Sequence, residues 1–173
     1  MPAPVHFLDP PVFYYTYGPH PPALEIACGQ SVETWTADSS NGTPDGSALP
    51  AGRRQAGQGL LEFNPVTGPF HVAGAEPGDT LIVHLEAVDL NRPTAFGAVQ
   101  PHLAVLGDDP LFVGPTGLKP PVEGRWYDWE LDLERGRARL ELPRSRIGRI
   151  EIPTHPFLGC IGTAPRFGEH LHT

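Results

Sequence analysis

Proline and glycine decide what this chain is able to fold into. Twenty-two prolines and twenty glycines are scattered along 173 residues, so an interruption falls about every fourth residue. A proline inside a helix removes a backbone hydrogen bond and collides with the preceding turn. Long helices are therefore excluded, and helical periodicity is almost absent. Many short strands joined by tight turns are what remains.

The strongest strand signal is Thr80–Val88, entered from Glu76-Pro77-Gly78-Asp79. Proline there fixes the second position of a type II turn and glycine supplies the positive φ of the third. Phe70–Val72 is read as the partner of that strand. Gln30–Thr36 is another candidate. Trp126–Leu133 and Arg137–Leu142 flank Glu134-Arg-Gly136, a hairpin turn, and Ile147–Ile152 is a short strand stopped by Pro153. His71 and His84 fall in strands, as half-buried packing residues. Ser39–Gly59 and Arg92–Pro121 read as long loops, and long loops in compact domains tend to carry function.

Composition narrows the class. Hydrophobic residues make up 39%, close to the globular average. The formal net charge is −8, opposite to a nucleic-acid footprint. The arginines between Arg135 and Arg149 alternate with Glu134, Glu141 and Glu151, as on a solvated β face. No apolar run approaches a membrane span, and Met1–Pro11 has no secretory pattern. Cys28 and Cys160 form no CxxC pair, so buried reduced thiols in a cytoplasmic protein are expected.

Four stretches carry a family resemblance. They are Gly29–Asp38, ending in an acidic residue before a glycine-containing loop; Asn64-Pro-Val-Thr-Gly-Pro69 running into Gly74-Ala-Glu-Pro-Gly-Asp79; Ile152-Pro153 with Pro156-Phe-Leu-Gly159; and Ile161-Gly-Thr-Ala-Pro165. Together they resemble the acetamidase/formamidase family over nearly the whole chain. The resemblance implies a mainly β, loop-rich fold, sandwich- or barrel-like, with little helix. It also implies hydrolysis of short linear amides such as formamide and acetamide to carboxylate and ammonia. A divalent metal, zinc first, and a homo-oligomer come with it. Family chains continue through His-Gly-Gly-Asn-x-Asp and Asp-x-His-Ala segments associated with metal binding and catalysis, whereas this sequence stops at Thr173. It is expected to be a single β region, 1–173, truncated relative to the family and completed by a second half or partner chain. The alternative is a non-catalytic subunit or remnant that only binds a partner.

The candidate residues each have two readings. Asp38 is a catalytic group or metal ligand, since a metal would polarise an amide carbonyl and acidify an attacking water. Equally, it opens an Asx turn into Ser39-Ser-Asn-Gly42. Asn64 and Thr67 would hydrogen-bond an amide, or cap the turn around Pro65 and Gly68. Gly159 and Gly162 would let backbone approach substrate closely. His170 and His172, two apart on a strand, share a side and are candidate metal ligands, or simply a polar chain end. The aromatic set Phe13-Tyr14-Tyr15-x-Tyr17 is expected to pack over the sheet.

Overall fold

The computed structural model describes residues 4–55, 62–99 and 123–173. Its regular structure is mainly strand, with two single-turn 3₁₀ segments at Ala51–Arg53 and Arg166–Gly168. The chain divides into two compact units, Met1–Asn91 with Phe157–Thr173, and Arg92–Pro156. In chain order, the first unit holds β1 (Val5–Leu8), β2 (Thr16–Tyr17), β3 (Leu24–Ile26), β4 (Ser31–Thr34) and β5 (Phe70–Val72). The second holds β6 (Thr94–Val99), β7 (Arg125–Asp132), β8 (Arg137–Leu142) and β9 (Gly148–Pro153), after which β10 (Leu171–His172) returns to the first.

The first unit is built from two-stranded pairings rather than one sheet. β1 pairs with β4 and β3 with β5, both parallel, while β10 lies antiparallel to β2. Phe13, buried completely, and Leu49, 1% exposed, form the core with Ala37, and Trp35 packs against them. The Phe13 and Trp35 rings stand 5.0 Å apart. The Arg53 guanidinium lies over the Trp35 ring, 5.3 Å from its centre. Its charge is held by Asp9 at 2.6 Å, which also accepts the Trp35 indole N–H at 2.8 Å. The Arg53 hydrogen bond, and then the Trp35 one, keep the Asp9 carboxyl below its ordinary value.

The second unit is a four-stranded antiparallel meander, β6-β7-β8-β9. Gly136, at φ 60°, makes the expected turn between β7 and β8. Ala138 and Leu140 alternate inward along β8 and are buried, as period-two patterning requires. On the other face, Arg139 sits opposite Glu130 and Glu151 in register and reaches both, at 3.7 and 3.4 Å. The alternating charges are therefore cross-strand pairs on an open face, around a shallow depression of about 270 Å³ lined by Glu130, Leu131, Asp132, Arg137 and Arg139.

Four expectations need correction. Thr80–Val88 follows its predicted turn, with Asp79 N–H donating to Glu76 O at 3.1 Å and Gly78 at φ 107°. It nevertheless joins no ladder among the described residues, because Phe70–Val72 pairs with Leu24–Ile26 instead. Arg92–Pro121 is not all loop: Thr94–Val99 is β6, aligned on β7, and the rest from 100 lies outside the described residues. Cys28 and Cys160 are free and exposed, not buried; Cys28 falls in the turn after β3. His71 and His84 are also exposed, because β5 has one partner and Thr80–Val88 none among the described residues. No closed barrel forms among the described strands, and no helix there is long and apolar enough to cross a membrane.

Candidate functional site

Phe13–Tyr17 is the segment on which three of the resemblance-bearing stretches meet, through Trp35 and Ala37, Val66, and Gly162. Phe13 N–H donates to Arg53 O at 2.8 Å, and Tyr14 exchanges backbone bonds with Val66 at 3.2 and 2.8 Å. Thr16 and Tyr17, as β2, take the C-terminal strand β10. Alternation buries Phe13 and Tyr15, and Thr16 is buried too, at 7% exposure. The aromatic run therefore packs as expected, and it also forms the floor of a polar network.

Asp38 stands at the rim of this floor. Its Oδ1 accepts the backbone N–H groups of Ser40 at 2.7 Å and Gly42 at 2.9 Å. Its own N–H donates to Gly42 O at 3.0 Å. This is the Asx-turn geometry expected of Asp-Ser-Ser-Asn-Gly, with Asn41 in the left-handed region at φ 68°. The Asn41 side chain, turned inward by that conformation, accepts the Tyr15 phenol O–H and donates to Glu62 O at 2.7 Å. Burial first, and then the Glu62 charge, raise the Tyr15 phenol above its ordinary value. It stays a neutral donor through the physiological range.

Asn64 sits beside the same loop, its N–H donating to Ser39 O at 3.0 Å. Its side chain reaches Thr173 O at 3.4 Å, and the Thr173 hydroxyl lies 2.9 Å from Asn64 O and 3.1 Å from Tyr15 O. Thr67 donates to Trp35 O at 2.9 Å, which ties the two stretches together. Gly162 passes the Tyr17 ring so closely that a Cβ would stand 3.2 Å from it. Gly159 is exposed, and a Cβ added there would meet nothing within 4 Å. Of the predicted residues, Asp38, Asn64, Thr67, Gly162 and the His170–His172 end share this framework, and Gly159 does not.

The sequence reading missed a second cluster at the Thr16 end. Thr16 Oγ1 lies 3.0 Å from both His20 Nε2 and His170 Nδ1, and His20 Nε2 is 3.0 Å from Thr16 O. A carbonyl only accepts, so His20 carries its proton on Nε2, while the direction of the bond between the Thr16 hydroxyl and His170 Nδ1 follows the tautomer of that imidazole. Tyr14 stacks on His20 at 3.9 Å, and the two imidazoles meet edge to face at 5.1 Å. Burial first lowers the His20 pKa, opposed by the Thr16 carbonyl and assisted by His170. In the tautomer with Nδ1 unprotonated the hydroxyl donates to the imidazole, the pairing of a nucleophile with a general base. Here it also clamps β10 onto β2. Only the aromatic neighbours Tyr14 and Tyr17 hinted at this cluster in the sequence.

The residues present do not close around a cation. Among the described residues no three His, Cys, Asp or Glu side chains stand together as a ligand set. His170 Nδ1 lies 3.0 Å from the Thr16 hydroxyl, His172 Nδ1 lies 2.8 Å from Thr173 O, and Asp38 Oδ1 takes two N–H groups. No family description matches the chain, nor does any curated protein or solved structure.

Proposed function

We propose that this chain forms one side of the site of a hydrolase of short linear amides, releasing carboxylate and ammonia, with a partner chain supplying the other side. The supporting observation is that three separated stretches of the resemblance, through Trp35–Asp38, Asn64–Thr67 and Gly162, converge on Phe13–Tyr17. Within that framework Asp38 is the carboxylate that would take a proton or a metal, and Asn64 is the amide that would orient substrate. Any zinc or other divalent ion at Asp38, His170 or His172 needs donors from the partner. A sandwich- or barrel-like whole, and the homo-oligomer the resemblance implies, likewise require further strands.

The test is ammonia release from formamide and acetamide by the chain isolated under native conditions with whatever accompanies it, assayed with zinc and with a chelator. Ammonia above the blank supports the reading. No ammonia under either condition contradicts it.

A second reading is favoured by a different observation. Leu81, Ile82, Val83 and Leu85 are all more than half exposed, with Ile82 at 74%. Contiguous exposed apolar side chains mark association surfaces. On this reading the chain is a non-catalytic subunit that binds a partner. A monodisperse monomer that associates with no other chain would contradict both readings.

A further inference from the structure

The run after the Glu76–Asp79 turn carries the features of a strand but has no neighbour among the described residues. From Asp79 to Asn91 the chain forms no helix, turn or bend. Among the described residues, none from Thr80 to Leu90 gives or takes a backbone hydrogen bond. Along a strand, Leu81, Val83 and Leu85 fall on one face and Ile82 on the other. Apolar residues on both faces belong to a strand buried between layers, yet these are exposed. The Ser31 hydroxyl donates to Glu86 Oε1 at 2.7 Å, which ties the end of the run to the start of β4.

The flanking charges say what would pair there. Glu76 and Asp79 precede the apolar centre, Glu86 and Asp89 follow it, and no Lys or Arg occurs between Ala73 and Asn91. A second copy of the same run is a poor fit. Antiparallel pairing about Val83 sets Leu81 opposite Leu85, but it also brings Glu76 and Asp79 of one copy close to Glu86 and Asp89 of the other at each end, and uncompensated like charges crowded together repel.

We propose that Thr80–Val88 is a docking edge for one extended strand of a different polypeptide, apolar at alternate positions in its middle and basic at both ends. Backbone bonds along the edge supply affinity, and the alternate side chains and end charges supply selectivity. The proposal rests on the reading that the chain works with a partner, and it adds the partner's chemistry.

The test uses the whole chain and a fluorescent eight-residue peptide of alternating valine and threonine ended by lysines, with an aspartate-ended peptide as the control. The lysine-ended peptide is expected to bind at least about tenfold tighter and to slow hydrogen exchange at 80–88. Val83→Pro, which removes an N–H, and Val83→Lys, which adds repulsion, should each weaken binding about tenfold or more with the circular dichroism unchanged. No binding, equal binding of the two peptides, or binding undiminished in both variants overturns the proposal. So does self-association that Val83→Pro abolishes, because the occupant would then be a second copy. None of these readouts involves ammonia, so a failure of docking is separable from a failure of amide hydrolysis.

Discussion

A Cβ on Gly18 would collide with Nδ1 of His170, so the imidazole that is hydrogen-bonded to the Thr16 hydroxyl occupies space left open by the absence of a side chain. Gly18→Ala is expected to turn His170 outward, since that side chain is exposed and free to swing. The loss is one hydrogen bond, about 1 kcal/mol. Urea unfolding reads the stability, and the nuclear Overhauser contact between Thr16 and His170 reads the geometry. An unchanged contact would contradict the account.

The core of the first unit is small, so its members matter individually. Phe13→Ala should cost about 3–5 kcal/mol, the usual range for emptying a buried phenylalanine site. Ile82→Ala, at 74% exposure, should fall within about 0.5 kcal/mol of the parent. Equal effects in urea unfolding would mean that Phe13 is not the centre of packing.

Asp38 has a structural job that is separable from a chemical one. Asp38→Ala leaves the Ser40 and Gly42 N–H groups without their acceptor and should cost about 1 kcal/mol. Asp38→Asn keeps an oxygen in the same place and should hold the loop, with amide exchange at Ser40 and Gly42 near that of the parent. Loss of protection in Asp38→Asn would show that the charge, not the acceptor, shapes the turn.

Asp45 supplies a pH test. Its Oδ1 accepts the Thr43 hydroxyl at 2.5 Å and the Ser47 N–H at 2.9 Å, and these bonds, Thr43 first, hold its carboxyl at about 2, against 3.8 ordinarily. A depressed carboxylate contributes stability above its unfolded value. That contribution is complete above 3.8 and is lost as the pH falls through about 2. Thr43→Val should move the carboxyl carbon's NMR midpoint up toward 3.8. A midpoint that stays near 2 would assign the depression to other groups.

Local signals were legible in the sequence and distant pairings were not. The β7–β8 hairpin could be read because alternation and Gly136 act within a few residues. The Asx turn at Asp38 was readable for the same reason. β1 with β4 and β3 with β5 are parallel pairs across intervening chain, and no local pattern announces a parallel neighbour. Phe70–Val72 was matched to the nearest strand candidate but pairs with the earlier Leu24–Ile26. At the site, Asp38 and Asn64 stood out through the motifs around them. Thr16, His20 and Asn41 did not, because a threonine, a histidine and an asparagine acquire meaning only from what the fold sets beside them. His20 and His170 meet across 150 residues.

The proposed function makes Asp38 part of an amide-hydrolysing site completed by a partner chain. Its most direct test compares ammonia release from formamide and acetamide by the parent and Asp38→Asn chains, each isolated with the chains that accompany it. The account predicts release by the parent and a loss of about tenfold or more in Asp38→Asn, with the Asx turn intact. Release that is absent in the parent, or equal in the two, would contradict it.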